Sequence, residues 1–221
     1  MIVVSNMSKR YRGSNDEQYV LKNVTLNIPR STKLAVLGRN GAGKSTLLNL
    51  LGGMDRPTRG TVSRQCRVSW PLGLSGGFQG SLSGAQNAKF IARIHGVDDE
   101  MLRERIGFIR KFSELSDALD RPVKNYSSGM RSRLAFAISL AFDFDVYLVD
   151  ELTSVGDAAF RKKSRDAFRG IAERAGLIMV SHDEATLKAF CEKALWLHEG
   201  QALWFDDLKE GLARYKESLA A

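Results

Sequence analysis

The chain is short of cysteine, of long apolar runs and of any leader-like segment, and each lack excludes something. Only Cys66 and Cys191 occur in 221 residues. Their separation fits no metal-ligand spacing, so structural thiols in a reducing compartment are expected. The longest apolar stretches, such as residues 134–142, are far too short to cross a bilayer. Met1-Ile2-Val3-Val4-Ser5-Asn6 lacks the basic region and apolar core of a signal peptide. The expected location is therefore cytoplasmic. No internal repeat and no low-complexity tail is present. What remains is ordinary for a globular chain: 43% hydrophobic and 26% charged residues, with length for one large domain or two small ones. The net charge of +8 fits an anionic neighbour such as nucleic acid, an acidic protein face or lipid headgroups. It fits solvated helix faces equally well. Charge alone decides nothing.

The stretch that carries chemistry is residues 34–46. Leu34-Ala35-Val36-Leu37 is an apolar run long enough for a buried strand. It ends in Gly38-Arg39-Asn40-Gly41-Ala42-Gly43-Lys44-Ser45, which fits G-x-x-x-x-G-K-[ST] at every fixed position. Thr46-Leu47-Leu48-Asn49-Leu50-Leu51 continues as a helix former, so strand, loop and helix follow in the required order. Glycines let backbone N–H groups close on phosphate oxygens at a positive helix N-terminus. Lys44 can reach β- and γ-phosphates, and the Ser45 hydroxyl can ligate Mg²⁺. This is a nucleoside triphosphate site.

Around the loop the chain alternates strands and helices. Residues 2–11 read as a first strand and 20–28 as a second, with Val24, Leu26 and Ile28 on its apolar face. By position alone Tyr11 is a strand-end aromatic packed on the core, although such a ring can also stack on a base. Residues 61–70 read as one strand. The glycine-rich residues 73–84 mark a hinge in which Gln79 is the one side chain that both donates and accepts hydrogen bonds. Helical spacing follows over 85–95 and 98–112. Ser127 or Ser128 caps the next helix, whose N-terminus is a second potential anion site. Val146-Tyr147-Leu148-Val149 is a buried strand closed by Asp150-Glu151, and it is expected to lie beside the loop strand. From there Asp150 can enter a Mg²⁺ shell, and Glu151 can orient or deprotonate a water in line with the γ-phosphate. A basic helix spans 158–174. Another buried strand, residues 177–180, ends in Ser181-His182-Asp183, residues 194–205 form a hairpin about Glu199-Gly200, and Asp206 starts a closing helix.

The order of these motifs resembles the ATP-binding-cassette ATPases over essentially the whole chain. The resemblance implies an α/β fold: a RecA-like P-loop core, an N-terminal antiparallel β subdomain and an α-helical subdomain. Residues 1–221 then form one ATP-binding domain, with 79–136 as its helical subdomain. Tyr11 takes the place of the adenine-stacking aromatic, which reverses the positional reading. Gly38 to Thr46 is the Walker A loop, Asp150 the Walker B aspartate, Glu151 the catalytic glutamate and His182 the switch histidine. Tyr126-Ser127-Ser128-Gly129-Met130 stands for the Leu-Ser-Gly-Gly-Gln signature, with Ser128 and Met130 as its departures. Ser127, Ser128 and Gly129 would meet the γ-phosphate held by another subunit, and Ser154 to Asp157 resembles the D-loop. Gln79 is the candidate hinge glutamine and metal ligand, although the family's spacing falls nearer Gly73-Leu74.

Trp70 to Phe78 and the Ser-Ser-Gly-Met signature resemble the ATPases of capsular-polysaccharide exporters, a branch shared with O-antigen and teichoic acid exporters. The implied cofactors are ATP and Mg²⁺. The implied partners are a second copy of the chain, sandwiching ATP, and an integral membrane permease that handles the polysaccharide at the cytoplasmic face of the inner membrane. Some relatives carry a long C-terminal carbohydrate-binding domain; ending at Ala221 matches the short form expected of the capsule group. A soluble ATPase of the same fold acting on nucleic acid usually joins two cassettes or carries coiled-coil insertions. This chain has one phosphate loop and no heptad run, so nucleic acid is not expected. A non-hydrolysing regulatory cassette is disfavoured by the intact Asp150-Glu151 pair and His182.

Overall fold

A computed structural model describes residues 1–11, 19–72, 78–94, 97–150 and 157–220. They group into two compact units, one of Met1–Pro71, Phe144–Glu151 and Arg169–Ala221, the other of Leu72–Asp143 and Leu152–Phe168. Among the described residues, no helix is long and apolar enough to cross a membrane.

The first unit holds two sheets. Strands β1 (Ile2–Lys9), β2 (Leu21–Ile28) and β4 (Arg59–Arg64) form a 3-stranded sheet in the order β2-β1-β4, antiparallel at both pairings. The second sheet takes β3 (Lys33–Leu37), β5 (Val68–Leu72), β6 (Val146–Asp150), β7 (Gly176–Val180), β8 (Lys193–His198) and β9 (Gln201–Phe205). Its order is β5-β6-β7-β3-β8-β9, parallel where β6, β7, β3 and β8 pair and antiparallel in the β8–β9 hairpin. Glu199 and Gly200 both have positive φ, 49° and 81°, as a two-residue turn matched to strand twist requires.

Two expectations are corrected. Residues 61–70 are not one strand: after β4 the chain turns at Gln65-Cys66-Arg67 and changes sheet. The Arg67 N–H donates to Asp145 Oδ2 at 2.8 Å and its carbonyl accepts from Asp145 N, drawing the backbone toward β6. Nor does β6 lie beside the loop strand, because β7 is inserted between β6 and β3.

Helix α1 (Lys44–Gly52) is nearly all apolar after its first turn because it is covered on several sides. Leu47, Leu48, Leu50 and Leu51 are fully buried and share one core with Ile2 and Val4 of the 3-stranded sheet and Leu34 and Leu148 of the 6-stranded sheet. Its last carbonyls are satisfied by Arg64, whose Nε donates to Leu51 O at 2.6 Å and whose Nη2 donates to Leu50 O. The phosphate-loop helix is thereby fixed at both its side and its end. Helix α7 (Leu208–Ala220) buries Leu208 and Leu212 in its first turns, whereas Leu219 near its end is 51% exposed.

The second unit carries helices α2 (Gly84–Ile94), α3 (Asp99–Ser113) and α4 (Ser128–Leu140), and the start of α5 (Ala158–Arg174). Ser83 and Gln86 form a reciprocal capping box before α2: Gln86 N donates to Ser83 Oγ at 3.1 Å and Ser83 N to Gln86 Oε1 at 2.8 Å. Phe112 of α3 packs against Phe136 of α4 and Phe160 of α5, with centroids 6.1 and 5.8 Å apart.

Candidate functional site

The phosphate loop joins β3 to α1, and its glycines are where other residues would not fit. Gly38 has φ 149°, and a Cβ there would lie 2.8 Å from the Leu197 carbonyl oxygen. Gly43 has φ 96° and faces Val20, where a Cβ would approach Cγ1 to 2.8 Å. As N-cap of α1, Gly43 supplies no side-chain cap, and no acidic residue stands in the first turn. The helix N-terminus therefore keeps its N–H groups and its positive potential for an anion. Lys44 bends back over the loop, its Nζ donating to Gly38 O at 2.7 Å and Arg39 O at 3.0 Å.

A cavity of about 430 Å³ opens beside this helix start, lined among others by Asn40, Lys44, Ser45, Thr46, Asp150 and His182. The parallel sheet explains the meeting. Asp150 ends β6 in register with Val180, the last residue of β7, and His182 follows two residues on. His182 is held in a tight turn, since Asp183 N donates to Ser181 Oγ at 3.1 Å. Asp183 then caps α6 (Glu184–Phe190) by accepting from Ala185 N and Thr186 N. The inserted β7 thus delivers the histidine while leaving Asp150 on the same cavity wall. Glu151 lies outside the described residues, as do residues 73–77 of the expected hinge and 154–156 of the expected D-loop.

A second cavity, of about 620 Å³, shares Val20 and Gly41 with the first and extends to Tyr11, Tyr19 and Ala42. Tyr11 is 49% exposed, which removes the reading of a tyrosine packed into the core. Its hydroxyl lies 3.4 Å from Thr46 Oγ1 and donates to Asp55 Oδ2 at 3.3 Å. Lys9 Nζ sits 4.9 Å from the ring centroid and donates to Asp55 Oδ1 at 2.7 Å. That hydrogen bond from Lys9, reinforced by the Arg56 N–H, holds the Asp55 carboxyl below the usual carboxylate range. Tyr19 and Asp55 were not singled out in the sequence. An aromatic directly before β2 was the available signal for the first; nothing local marked the second.

The remaining predicted residues belong to the second unit. Ser127, not Ser128, caps α4, its Oγ accepting from Met130 N at 3.2 Å. A cavity of about 640 Å³ there is lined by Ser127, Ser128, Gly129, Arg133 and Asp157 among others. Arg133 spans it, donating to Glu114 Oε2 at 3.0 Å and Asp157 Oδ2 at 2.5 Å with its guanidinium carbon 4.7 Å from the Phe160 centroid. Asp157 Oδ1 also accepts from Phe160 N at 2.9 Å, and that backbone bond, then Arg133, lowers its carboxyl pKa. Gln79 is bound within this unit: its N–H donates to Asn87 Oδ1 and its Nε2 to Ser81 Oγ at 3.3 Å.

Taken chemically, the first unit offers backbone N–H groups and an ammonium for phosphates, hydroxyl and carboxylate oxygens for a hard cation, and an aromatic wall for a base. A family model described as ABC transporter matches residues 21–154. The polysialic acid transport ATP-binding protein KpsT of Escherichia coli is 50% identical over 220 residues, covering 99% of this chain and 100% of that protein. The capsule polysaccharide export ATP-binding protein CtrD of Neisseria meningitidis serogroup B is 43% identical over 216 residues, covering 97% and 98% respectively. Among solved structures, the dimeric post-hydrolysis state of the ATP-binding cassette MJ0796 bound to ADP and Pi superposes with a TM-score of 0.77 at 23% identity, over 94% of this chain and 99% of that one, a likeness of fold. The chain belongs to the ABC transporter family, as an ATP-binding subunit of the surface-polysaccharide exporter branch.

Proposed function

We propose that this subunit hydrolyses MgATP to drive export of a capsular polysaccharide, working as an ATP-sandwiched homodimer on an integral permease at the cytoplasmic face of the inner membrane. The observation that carries the hydrolytic reading is the convergence of Lys44, Ser45, Asp150 and His182 on one cavity at a helix N-terminus. The loop N–H groups and Lys44 bind the phosphates, and Tyr11 stacks on the adenine. A Mg²⁺ ion would rest on Ser45, Asp150 and the phosphate oxygens, the sparse protein ligation that this metal favours. Its chemistry is to spread the charge that develops on the transferred group. Glu151 orients the attacking water, His182 meets the γ-phosphate, and Ser127, Ser128, Gly129 and Asp157 of a second copy close the site. Residues 1–221 act as one ATP-binding domain with 79–136 as its moving helical part, in which Gln79 is the proposed hinge.

The glycan reading is supported by the full-length likeness to proteins named for polysialic acid transport and capsule polysaccharide export. Deleting the gene tests it: surface polysaccharide should disappear, return with the wild-type chain, and stay absent with Lys44→Ala. An intact capsule in the deletion strain contradicts the proposed function.

A further inference from the structure

Tyr11, on the wall of the base-side cavity, is hydrogen-bonded to a residue that the nucleotide site does not otherwise use. Asp55 follows the C-terminal end of α1, and its carboxylate reaches the Tyr11 hydroxyl. One oxygen accepts from Lys9 Nζ at 2.7 Å and from Arg56 N at 2.7 Å; the other accepts from Tyr11 O–H at 3.3 Å. Lys9 is only 8% exposed and also donates to the Arg56 carbonyl at 2.9 Å, so the ammonium is pinned between two acceptors and lies 4.9 Å from the Tyr11 centroid. Tyr11 itself follows β1 and is half exposed. A half-exposed tyrosine beyond a strand end would sample several rotamers. Here its hydroxyl is held from two directions, by Asp55 and by Thr46 Oγ1 at 3.4 Å, both carried by the α1 segment.

We infer that Asp55 is a positioning residue for nucleotide-base recognition: buttressed by Lys9, it fixes the Tyr11 ring against the phosphate-loop helix so that the base stacks without first ordering the ring. The inference rests on the reading of Tyr11 as the base-stacking side chain. Its physical content is pre-organisation. A ring already held in its bound pose loses less freedom when a base arrives, so affinity for the base portion rises while phosphate affinity is untouched. Thr46 couples the two portions, because it stands in the first turn of the phosphate-binding helix and touches the tyrosine hydroxyl.

The test compares binding of ATP with binding of inorganic tripolyphosphate, which has the phosphates and no base. Wild type, Asp55→Asn, Tyr11→Phe and the double variant are titrated as full chains. Asp55→Asn is expected to weaken ATP about threefold to tenfold, the size of one lost hydrogen bond, and to leave tripolyphosphate unchanged. Tyr11→Phe keeps the ring but releases its hydroxyl, and should give a similar selective loss. In that background Asp55→Asn should add nothing further. Equal losses for both ligands, no loss, or an undiminished Asp55→Asn effect in the Tyr11→Phe background overturns the inference. Should Asp55→Asn fail to fold, Tyr11→Phe leaves the Lys9–Asp55 pair intact and decides alone by the same comparison. A wild type that binds tripolyphosphate as tightly as ATP overturns the stacking role of Tyr11 itself, a result distinct from failure of the positioning role.

Discussion

Arg133 Nη2 donates to Asp157 Oδ2 at 2.5 Å, tying the helix that begins at the Ser127 cap to the helix that Asp157 itself caps. The same guanidinium reaches Glu114 and lies on the Phe160 ring, so a planar fork serves three neighbours together. Arg133→Ala is expected to lower the melting midpoint by roughly 2–4 °C. Arg133→Lys should recover less than half of that, since a point charge cannot reproduce the fork. Thermal unfolding of the two variants checks this; a lysine variant as stable as wild type would show that charge alone suffices.

The phosphate loop should respond unequally to alanine. At Gly38 a Cβ would meet the Leu197 carbonyl oxygen at 2.8 Å, whereas at Gly41 nothing lies within 4 Å. Both positions have positive φ. Gly41→Ala is expected to cost about 1 kcal/mol for backbone strain alone, and Gly38→Ala about 2–3 kcal/mol with loss of ATP binding. Urea unfolding with parallel ATP titrations separates them, and equal costs would contradict the packing argument.

Acid stability should depend on Asp55 and Glu184. Hydrogen bonds from Lys188 and Lys216, both 2.7 Å long, pull the Glu184 carboxyl down to about 2. The Lys9 bond lowers Asp55. A carboxyl lowered in the folded state contributes stability above its ordinary pKa and loses it as pH falls through the folded value. Glu184→Gln should therefore be less stable than wild type at neutral pH, with the gap closing between about pH 4.5 and 2. Asp55→Asn should show the same convergence below its ordinary carboxylate value. Melting curves across pH would refute this if either gap stayed constant into acid.

The two cysteines should behave differently. Burial pushes the Cys191 thiol up to about 12, while Cys66 is half-buried. Thiolate is the reactive form, so native alkylation near neutral pH should modify Cys66 and spare Cys191. Peptide mapping after brief iodoacetamide treatment reads the outcome; early modification of Cys191 would contradict its packing.

What could be read in the sequence was what local chemistry dictates. Gly38 to Ser45 announces its backbone geometry, because the glycines mark bends and close approaches that few other residues permit. The basic helix of residues 158–174 and the hairpin about Glu199-Gly200 were equally plain, each being set by its own periodicity or turn. The switch of sheets at Gln65-Cys66-Arg67 was not, since no glycine or proline marks it and its cause, Asp145, is distant in sequence. The insertion of β7 between β3 and β6 was likewise hidden, because parallel strand order is set by how crossover helices pack. Helix α6 passed unnoticed although Asp183 signals its cap. The cavity-lining residues Lys44, Ser45, Asp150 and His182 stand on motifs that the sequence displays; Asp55 stands on none, because its bond to Tyr11 spans 44 residues.

The most direct test of the account is nucleotide-dependent dimerisation of Glu151→Gln. With MgATP this variant should retain ATP, cease turnover and shift from monomer to dimer by light scattering, because closure of two facing sites is kept while the water-orienting carboxylate is lost. A variant that still hydrolyses ATP at a substantial rate, or stays monomeric with ATP bound, would contradict the proposal that two copies close on ATP and Glu151 directs its hydrolysis.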